Sequence, residues 1–340
     1  MSPARRPSFR IGELDVAPGR SATGELPIAR LVTGTRISLP IQVFHGRTEG
    51  RTVWLSAAVH GDEINGVEII RRVARSLDAR RMAGTVISVP IVNVHGFLNG
   101  DRYLPDRRDL NRSFPGSPNG SLAARIADLF MTEIVSRCDV GIDLHTGSDH
   151  RTNLPHIRAD LDDPETRKLA EAFGAPLMLH SRTRDGSLRG AATERGATVL
   201  LYEGGEALRF DAEALSIGVD GIRRVLAELA LVDPDPRDPR TVPIESRRSS
   251  WVRARRSGIA LLDVELGEVV RRGQLLGVIH DSVGRRLGRI TAPRVGVVIG
   301  RVQQPLVNQG DALVHLADVA DDVLPHLGRF VSAHPPEEHP

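Results

Sequence analysis

The residues of this 340-residue chain best suited to chemistry are two histidines and two glutamates: His60, Glu63, His145 and Glu203. His60-Gly-Asp-Glu63 directly follows the apolar run 53–59, so an imidazole and a carboxylate arrive together at one strand end. A catalytic zinc keeps three protein ligands, in several enzymes two His and one Glu, and leaves its fourth position to water. His145, which closes the apolar segment 140–144, is the third ligand such a site needs, and Glu203 closes another segment, 197–203. Each group alone has a plain structural reading, His145 as a satisfied histidine at a sheet edge and Glu203 as a loop carboxylate. In open α/β sheets, however, ligands sit outside the carboxyl ends of the strands. Three suitable groups at three such ends predict a single site with one Zn2+ per chain. Glu206 competes with Glu203 for its place, and Asp62 reads as a cap for the helix that follows.

The stretch 99–115 is long for a connection, and structureless loops beyond about 12–15 residues inside a domain are functional or disordered. Its alternating acids and arginines permit local ion pairs, the reading given to Asp106, Arg107, Arg108 and Asp109. Arg102, Asn111 and Arg112 offer forked cationic donors and an amide, suited to a substrate carboxylate or to a developing oxyanion. Past His145, the segment 153–158 offers Arg158 or His156 as substrate contacts, against plain loop packing, while His150 reads as surface loop.

These groups need a scaffold, and the hydrophobic rhythm supplies one. Residues 8–50 carry short β-like runs, notably 31–44, broken by Gly and Pro; an N-terminal β-rich segment (1–50) packed on the catalytic domain is expected. From 51 to 232, strands alternate with helical patterns, which predicts a layered α/β domain with a mostly parallel mixed sheet. Ile64, Val67, Ile70, Val73 and Leu77 follow helical spacing, 85–91 reads as a strand, and Leu122, Ile126, Leu129 and Phe130 mark a helix over 122–135. Pro164 suits the first turn of another helix and Gly174 its stop. The last helix ends near Leu231. Proline-rich 233–243 reads as a stiff linker. Residues 244–320 then show glycine-punctuated strands at 258–264, 273–279, 290–293 and 296–300, expected as a small all-β barrel or sandwich. The tail, 321–340, with His334 and His339, is expected to be disordered.

Composition narrows the function. At 40% hydrophobic the chain can bury a full core. No apolar run approaches the ~20 residues that cross a bilayer, and the first residues lack a signal-peptide core, so a cytoplasmic location away from membranes is expected. Lys168 is the sole lysine and the formal net charge is only +2. Arginine pairs at 71–72 and 80–81, on or beside a helix among acids, read as a solvated face. With 4% aromatic residues and no aromatic-interleaved basic stripe, nucleic acid is not an expected partner. Self-association into a homo-oligomer is left open. The single cysteine, Cys138, excludes an internal disulfide and reads as packing.

In order along the chain, His60-x-x-Glu63, Arg102-Tyr103, Asp109-Leu-Asn111-Arg112, Asp143-Leu-His145 and Glu203-Gly resemble the zinc carboxypeptidase-like aspartoacylase and succinylglutamate desuccinylase family, over residues ~50 to ~320. The resemblance implies that His60, Glu63 and His145 bind zinc, that Glu203 is the general base and Arg102 polarises the carbonyl, and that Asn111 with Arg112 clamps a carboxylate. Aspartoacylases also bring a tyrosine from the tail barrel to the substrate. Here the only tyrosines are Tyr103 and Tyr202, which argues against aspartate specificity. The tail also resembles lipoyl/biotinyl barrels at 267–277 and 292–298. Those carriers attach their cofactor to a lysine, and 244–320 contains none, so a structural or substrate-shielding role is expected.

The expected activity is therefore zinc-dependent hydrolysis of the amide of a small N-acyl amino acid or related carboxylated amine. A carboxypeptidase-type peptidase is the alternative within the enzymes, since the same groups could clamp a peptide C-terminus. A catalytically silent binding module would require the metal ligands or the base to be missing.

Overall fold

The computed structural model describes residues 6–319 except 31, 149 and 239–241. A hairpin of β1 (Phe9–Ile11) and β2 (Leu14–Val16) precedes a longer one of β3 (Arg20–Arg30) and β4 (Arg36–His45). Next come β5 (Thr48–Ala57), α1 (Asn65–Ser76), β6 (Ala83–Val89), α2 (Val94–Asn99), α3 (Leu122–Glu133) and β7 (Val140–Gly147). They are followed by β8 (Arg151–Ala159), α4 (Pro164–Phe173), β9 (Leu177–His180), α5 (Leu188–Glu194), β10 (Thr198–Glu206) and α6 (Ala212–Glu228). The remaining elements are strands: β11 (Ile244–Ser246), β12 (Ser249–Arg253), β13 (Gly258–Leu262), β14 (Val269–Val270), β15 (Leu275–His280), β16 (Arg286–Thr291), β17 (Gly296–Val302), β18 (Leu306–Val307) and β19 (Ala312–Ala317).

One large mixed sheet runs in the order β12-β19-β17-β8-β10-β7-β5-β6-β4-β3. Its centre is parallel, through β10-β7, β7-β5 and β5-β6. Its margins are antiparallel, because the N-terminal hairpin extends one side and strands from the C-terminal β region extend the other. The expected mostly parallel sheet is thus parallel at its core and mixed as a whole. β11 and β14 also join the large sheet, on β9 and β17, and the remaining four C-terminal strands form an antiparallel sheet, β16-β15-β13-β18, whose Ala260, Leu276 and Ile290 pack with Val298 and Leu316 of the large sheet.

Strand side chains alternate between the two faces, and the central strands bury both. Val53, Leu55 and Ala57 of β5, with Val140, Ile142 and Leu144 of β7, join one core with α1, α4 and α6; Trp54 belongs to a second core, with Ile126 and Phe130 of α3. The same two-residue period puts Gly141, Asp143 and His145 on the Trp54 face. Trp54 fills the space above Gly141, where an added Cβ would lie 1.9 Å from the indole. Gly141→Ala is expected to destabilise the fold by ~1–3 kcal/mol or more, read as a lower urea midpoint; an unchanged midpoint would show that the indole can move aside.

Local signals account for several boundaries. Asp163 accepts a hydrogen bond from the Thr166 N–H ahead of Pro164, and Gly174 stops α4 with φ of 70°, as its sequence predicts. The 31–44 stretch is broken at its glycine as expected: Gly34, at φ 84°, lies in the turn of the β3–β4 hairpin, before β4 starts. Residues 290–293 are not a strand of their own, since β16 begins at Arg286 and stops at Thr291. Asp62 does not cap α1, whose first turn starts from Ile64 without a side-chain cap. The expected solvated faces are present: Arg71 and Arg72 both pair with Glu68, and Arg80 with Asp78. The tail at 321–340 lies outside the described residues.

Candidate active site

The site forms where the parallel strands end. After β5 the chain turns through Ala58, at φ 48°, and delivers His60 and Glu63 over the sheet edge. Glu203 on β10 stands beside His145 on β7 in register, so both side chains leave the same face. His60, Glu63 and His145 are all buried, and their ligand atoms lie within 4.8 Å of one another.

Both histidines turn Nδ1 toward Glu63, at 2.8 Å from Oε1 for His60 and 2.7 Å from Oε2 for His145. Their outer nitrogens are held by carboxylates: His145 Nε2 lies 2.8 Å from Asp143, and His60 Nε2 lies 3.2 Å from Asp109. Ser56 donates to the other oxygen of Asp143 at 2.7 Å, which fixes that carboxylate in turn. A ligating histidine characteristically gives its second N–H to a carboxylate, which sets the tautomer and ring orientation. Two such imidazoles and a buried carboxylate on one point are a donor set that fits zinc. Burial opposes charge on His145, but Asp143 and Glu63 outweigh it and raise its pKa; burial would also raise Glu63, yet the two histidines hold it well below the usual carboxylate range.

Asp109 forms the local ion pair expected of its loop, with Arg102 at 3.2 Å, and accepts the Asn111 N–H at 2.8 Å, but it also reaches His60. That second contact has no local signal, because His60 is 49 positions away. For Asp143 the available signal is its spacing of two from His145 on one strand.

Arg102 donates to Glu63 at 3.1 Å and to the Ser148 hydroxyl at 2.8 Å. Its loop is held by Asn93, which accepts from the Gly96 N–H at the start of α2 and donates to the Arg102 carbonyl. Asn111 uses its side-chain oxygen to accept the Leu188 N–H at 2.9 Å, and Arg112 donates to the Asn111 carbonyl. All three line a cavity of ≈ 250 Å³ that also meets His60, Glu63, His145, Glu203 and Arg158. The candidates His60, Glu63, His145, Glu203, Arg102, Asn111, Arg112 and Arg158 thus border one cavity, and His156 does not.

Across that cavity, Glu203 accepts from the Asn153 amide at 2.9 Å and has Arg158 at 3.7 Å. Burial raises its pKa, partly offset by Arg158. Its competitor Glu206 instead pairs with Arg209 at 2.7 Å. His150 is an exposed loop residue, as expected. Asp62 is buried behind the ligands, and its pKa rises to about 6 through burial and then the charge of Glu63. The C-terminal β region adds Trp251 to the cavity wall, a contribution that no sequence signal marked.

His156 is not a substrate contact. It is 1% exposed and donates from Nδ1 to the Leu154 carbonyl at 2.7 Å. Burial, with Arg158, pushes His156 down to about 3, and burial does the same to His315 on β19. Both are neutral in the folded chain, whereas an unfolded histidine titrates near 6.5. Stability should therefore be complete above pH 6.5 and fall as the pH drops from there toward 3, each group adding a slope approaching ~1.4 kcal/mol per pH unit. The urea midpoint is expected to decrease between pH 7 and 5, and to decrease less in His156→Leu.

Residues 49–229 match the succinylglutamate desuccinylase/aspartoacylase catalytic domain. The chain is 31% identical to the N-alpha-acetyl-L-2,4-diaminobutyric acid deacetylase of Halomonas elongata over 300 residues, 84% of this chain and 87% of that protein. Its structure is similar to a succinylglutamate desuccinylase/aspartoacylase from Rhodobacter sphaeroides, with TM-score 0.80, 29% identity and coverage of 92% and 100%. A product-bound ectoine utilization protein, EutE, from Ruegeria pomeroyi gives 0.81, 26% identity and coverage of 93% and 99%. With relatives of this kind, the protein is an amide-hydrolysing enzyme of mixed α/β architecture. More closely, the chain belongs to the succinylglutamate desuccinylase/aspartoacylase family. None of the helices among the described residues is long and apolar enough to cross a membrane.

Proposed function

We propose that this protein is a zinc-dependent N-deacylase of small N-acyl amino acids, with His60, Glu63 and His145 as ligands of one ion. The observation that carries this reading is the convergence of two carboxylate-anchored imidazoles on Glu63, with Glu203 beside His145 at the same cavity. A bound zinc ion would polarise the scissile carbonyl and lower the pKa of a water at the site. Glu203 takes the proton of the attacking water and passes it to the departing nitrogen. Its raised pKa suits that two-way task, and Asn153 keeps one of its oxygens in place. Arg102, anchored by Glu63, Ser148 and Asp109, steadies the oxyanion that develops on the carbonyl oxygen. Asn111 and Arg112 hold the carboxylate of the amino acid, and Arg158 adds a further donor.

The cavity volume, ≈ 250 Å³, favours a small substrate over a long peptide. The catalytic region, 51–232, is read as a carboxypeptidase-like layered unit, joined through 233–243 to the β region that flanks its pocket. The test is amine release from a panel of N-acetyl and N-succinyl amino acids, N-α-acetyl-2,4-diaminobutyrate and C-terminal dipeptides by the zinc-loaded protein. Faster hydrolysis of N-acyl amino acids than of peptides is expected; a preference for peptides would overturn the reading in favour of a carboxypeptidase.

A further inference from the structure

Trp251 reaches the cavity from outside the catalytic region. It lies on β12, in the C-terminal β region, and forms part of the wall. Its indole stacks on the imidazole of His315, its direct partner on β19, with ring centres 4.5 Å apart and planes 12° from parallel. That imidazole is fixed in turn by a 2.9 Å hydrogen bond between Nε2 and the Ser249 hydroxyl. From β8, the Arg151 guanidinium carbon lies 5.4 Å from the centre of the indole. Held by strand pairing, by an aromatic neighbour and by a cation, the ring cannot swing aside without losing contacts.

Most of the cavity is polar. Among the described residues that line it, the side chains made mainly of hydrocarbon are Leu201 and Trp251; the others are glycine or carry charged, amide, imidazole or hydroxyl groups. Leu201 stands two positions before Glu203 on β10 and therefore faces the same way. An alkyl group pressed against charged side chains would strip them of water, which is costly, whereas the same group gains from burial against leucine or indole. The hydrocarbon part of a substrate therefore belongs against Leu201 or Trp251. An immobile ring meets an overlong alkyl group with a clash rather than by yielding.

We infer that Trp251 is a specificity-determining residue, a fixed stop in the cavity wall that limits how long an alkyl group the enzyme accepts. This rests on the deacylase reading for its consequence in turnover. The alkyl group belongs either to the acyl chain or to the side chain of the amino acid, and the experiment separates the two.

The zinc-loaded full chain is assayed for kcat and KM on N-acetylalanine, N-hexanoylalanine and N-acetylnorleucine. In Trp251→Ala, kcat/KM for one of the two longer substrates is expected to rise about ten-fold or more relative to N-acetylalanine. The substrate that gains identifies the end that meets the indole. Trp251→Phe, with a smaller ring, should give an intermediate rise, and it serves where Trp251→Ala does not fold. His315→Ala keeps the indole but removes its backing, and should raise the same ratio several-fold. No rise in either ratio in the folded Trp251 variants would overturn the inference. If the parent cleaves none of the three, calorimetry of hexanoate and norleucine binding decides the inference alone, and the deacylase reading fails only if the wider substrate panel is also untouched. Tighter binding of either ligand in Trp251→Phe than in the parent supports the stop, and unchanged or weaker binding of both refutes it.

Discussion

Glu203→Gln is expected to reduce turnover by roughly 10²–10⁴-fold, the usual contribution of a general acid–base group, while leaving fold and metal content intact. The replacement keeps the shape of the side chain, and its amide oxygen can still accept from Asn153. It removes the ability to take and return a proton. Because burial raises the pKa of Glu203, the parent should also lose activity on the acid side as this carboxylate becomes protonated, and that limb should vanish from the residual activity of the variant. Rates within a few-fold of the parent, at equal zinc content, would remove Glu203 from the mechanism.

His145→Ala should abolish both zinc retention and turnover. The substitution deletes one of three donors and leaves two carboxylates, Glu63 and Asp143, each without the hydrogen-bonded imidazole that now faces it. Breaking a buried pair in this way costs about 3–5 kcal/mol, so a lower thermal midpoint should accompany the loss of metal. Asp143→Asn is the gentler companion. The ring remains but loses its charged anchor, and metal affinity is expected to weaken by about 10–100-fold. Since the raised pKa of His145 means that a proton must leave before Nδ1 and Nε2 can serve ligand and anchor, affinity should rise with pH. Metal analysis after dialysis, with competition against a chelator at two pH values, reads all of these. Stoichiometric zinc in His145→Ala would place the ion elsewhere.

What could be read from the residues was what is written locally. The convergence of His60, Glu63 and His145 was legible because strand ends are marked by apolar runs and both histidines follow one directly. The limits of α4 were legible because an aspartate cap, a proline and a terminal glycine act within a few residues of one another. Asn153 was visible as a polar residue, but its hold on Glu203 depends on antiparallel pairing of β8 with β10, which no nearby residue encodes. Asp109 sits among other charges in an alternating run, and nothing local sets Trp251 apart. Their roles depend on chain closure over tens or hundreds of residues. The same limit explains the sheet: β17 and β19 carry ordinary β patterns that do not reveal whether they complete their own barrel or extend the sheet of the catalytic region.

That last arrangement bears on how the protein could be cut or recombined. β17 pairs with β8 through Gly300, Arg301 and Val302 against Asn153, Thr152 and Arg151. Severed at the proline-rich linker, the hydrolase half would carry a raw seam of unsatisfied amides and carbonyls beside its own catalytic groups, the kind of edge that recruits other chains. The two halves are better regarded as one inseparable unit, and a swap of C-terminal regions between relatives would transplant part of the active-site wall along with them.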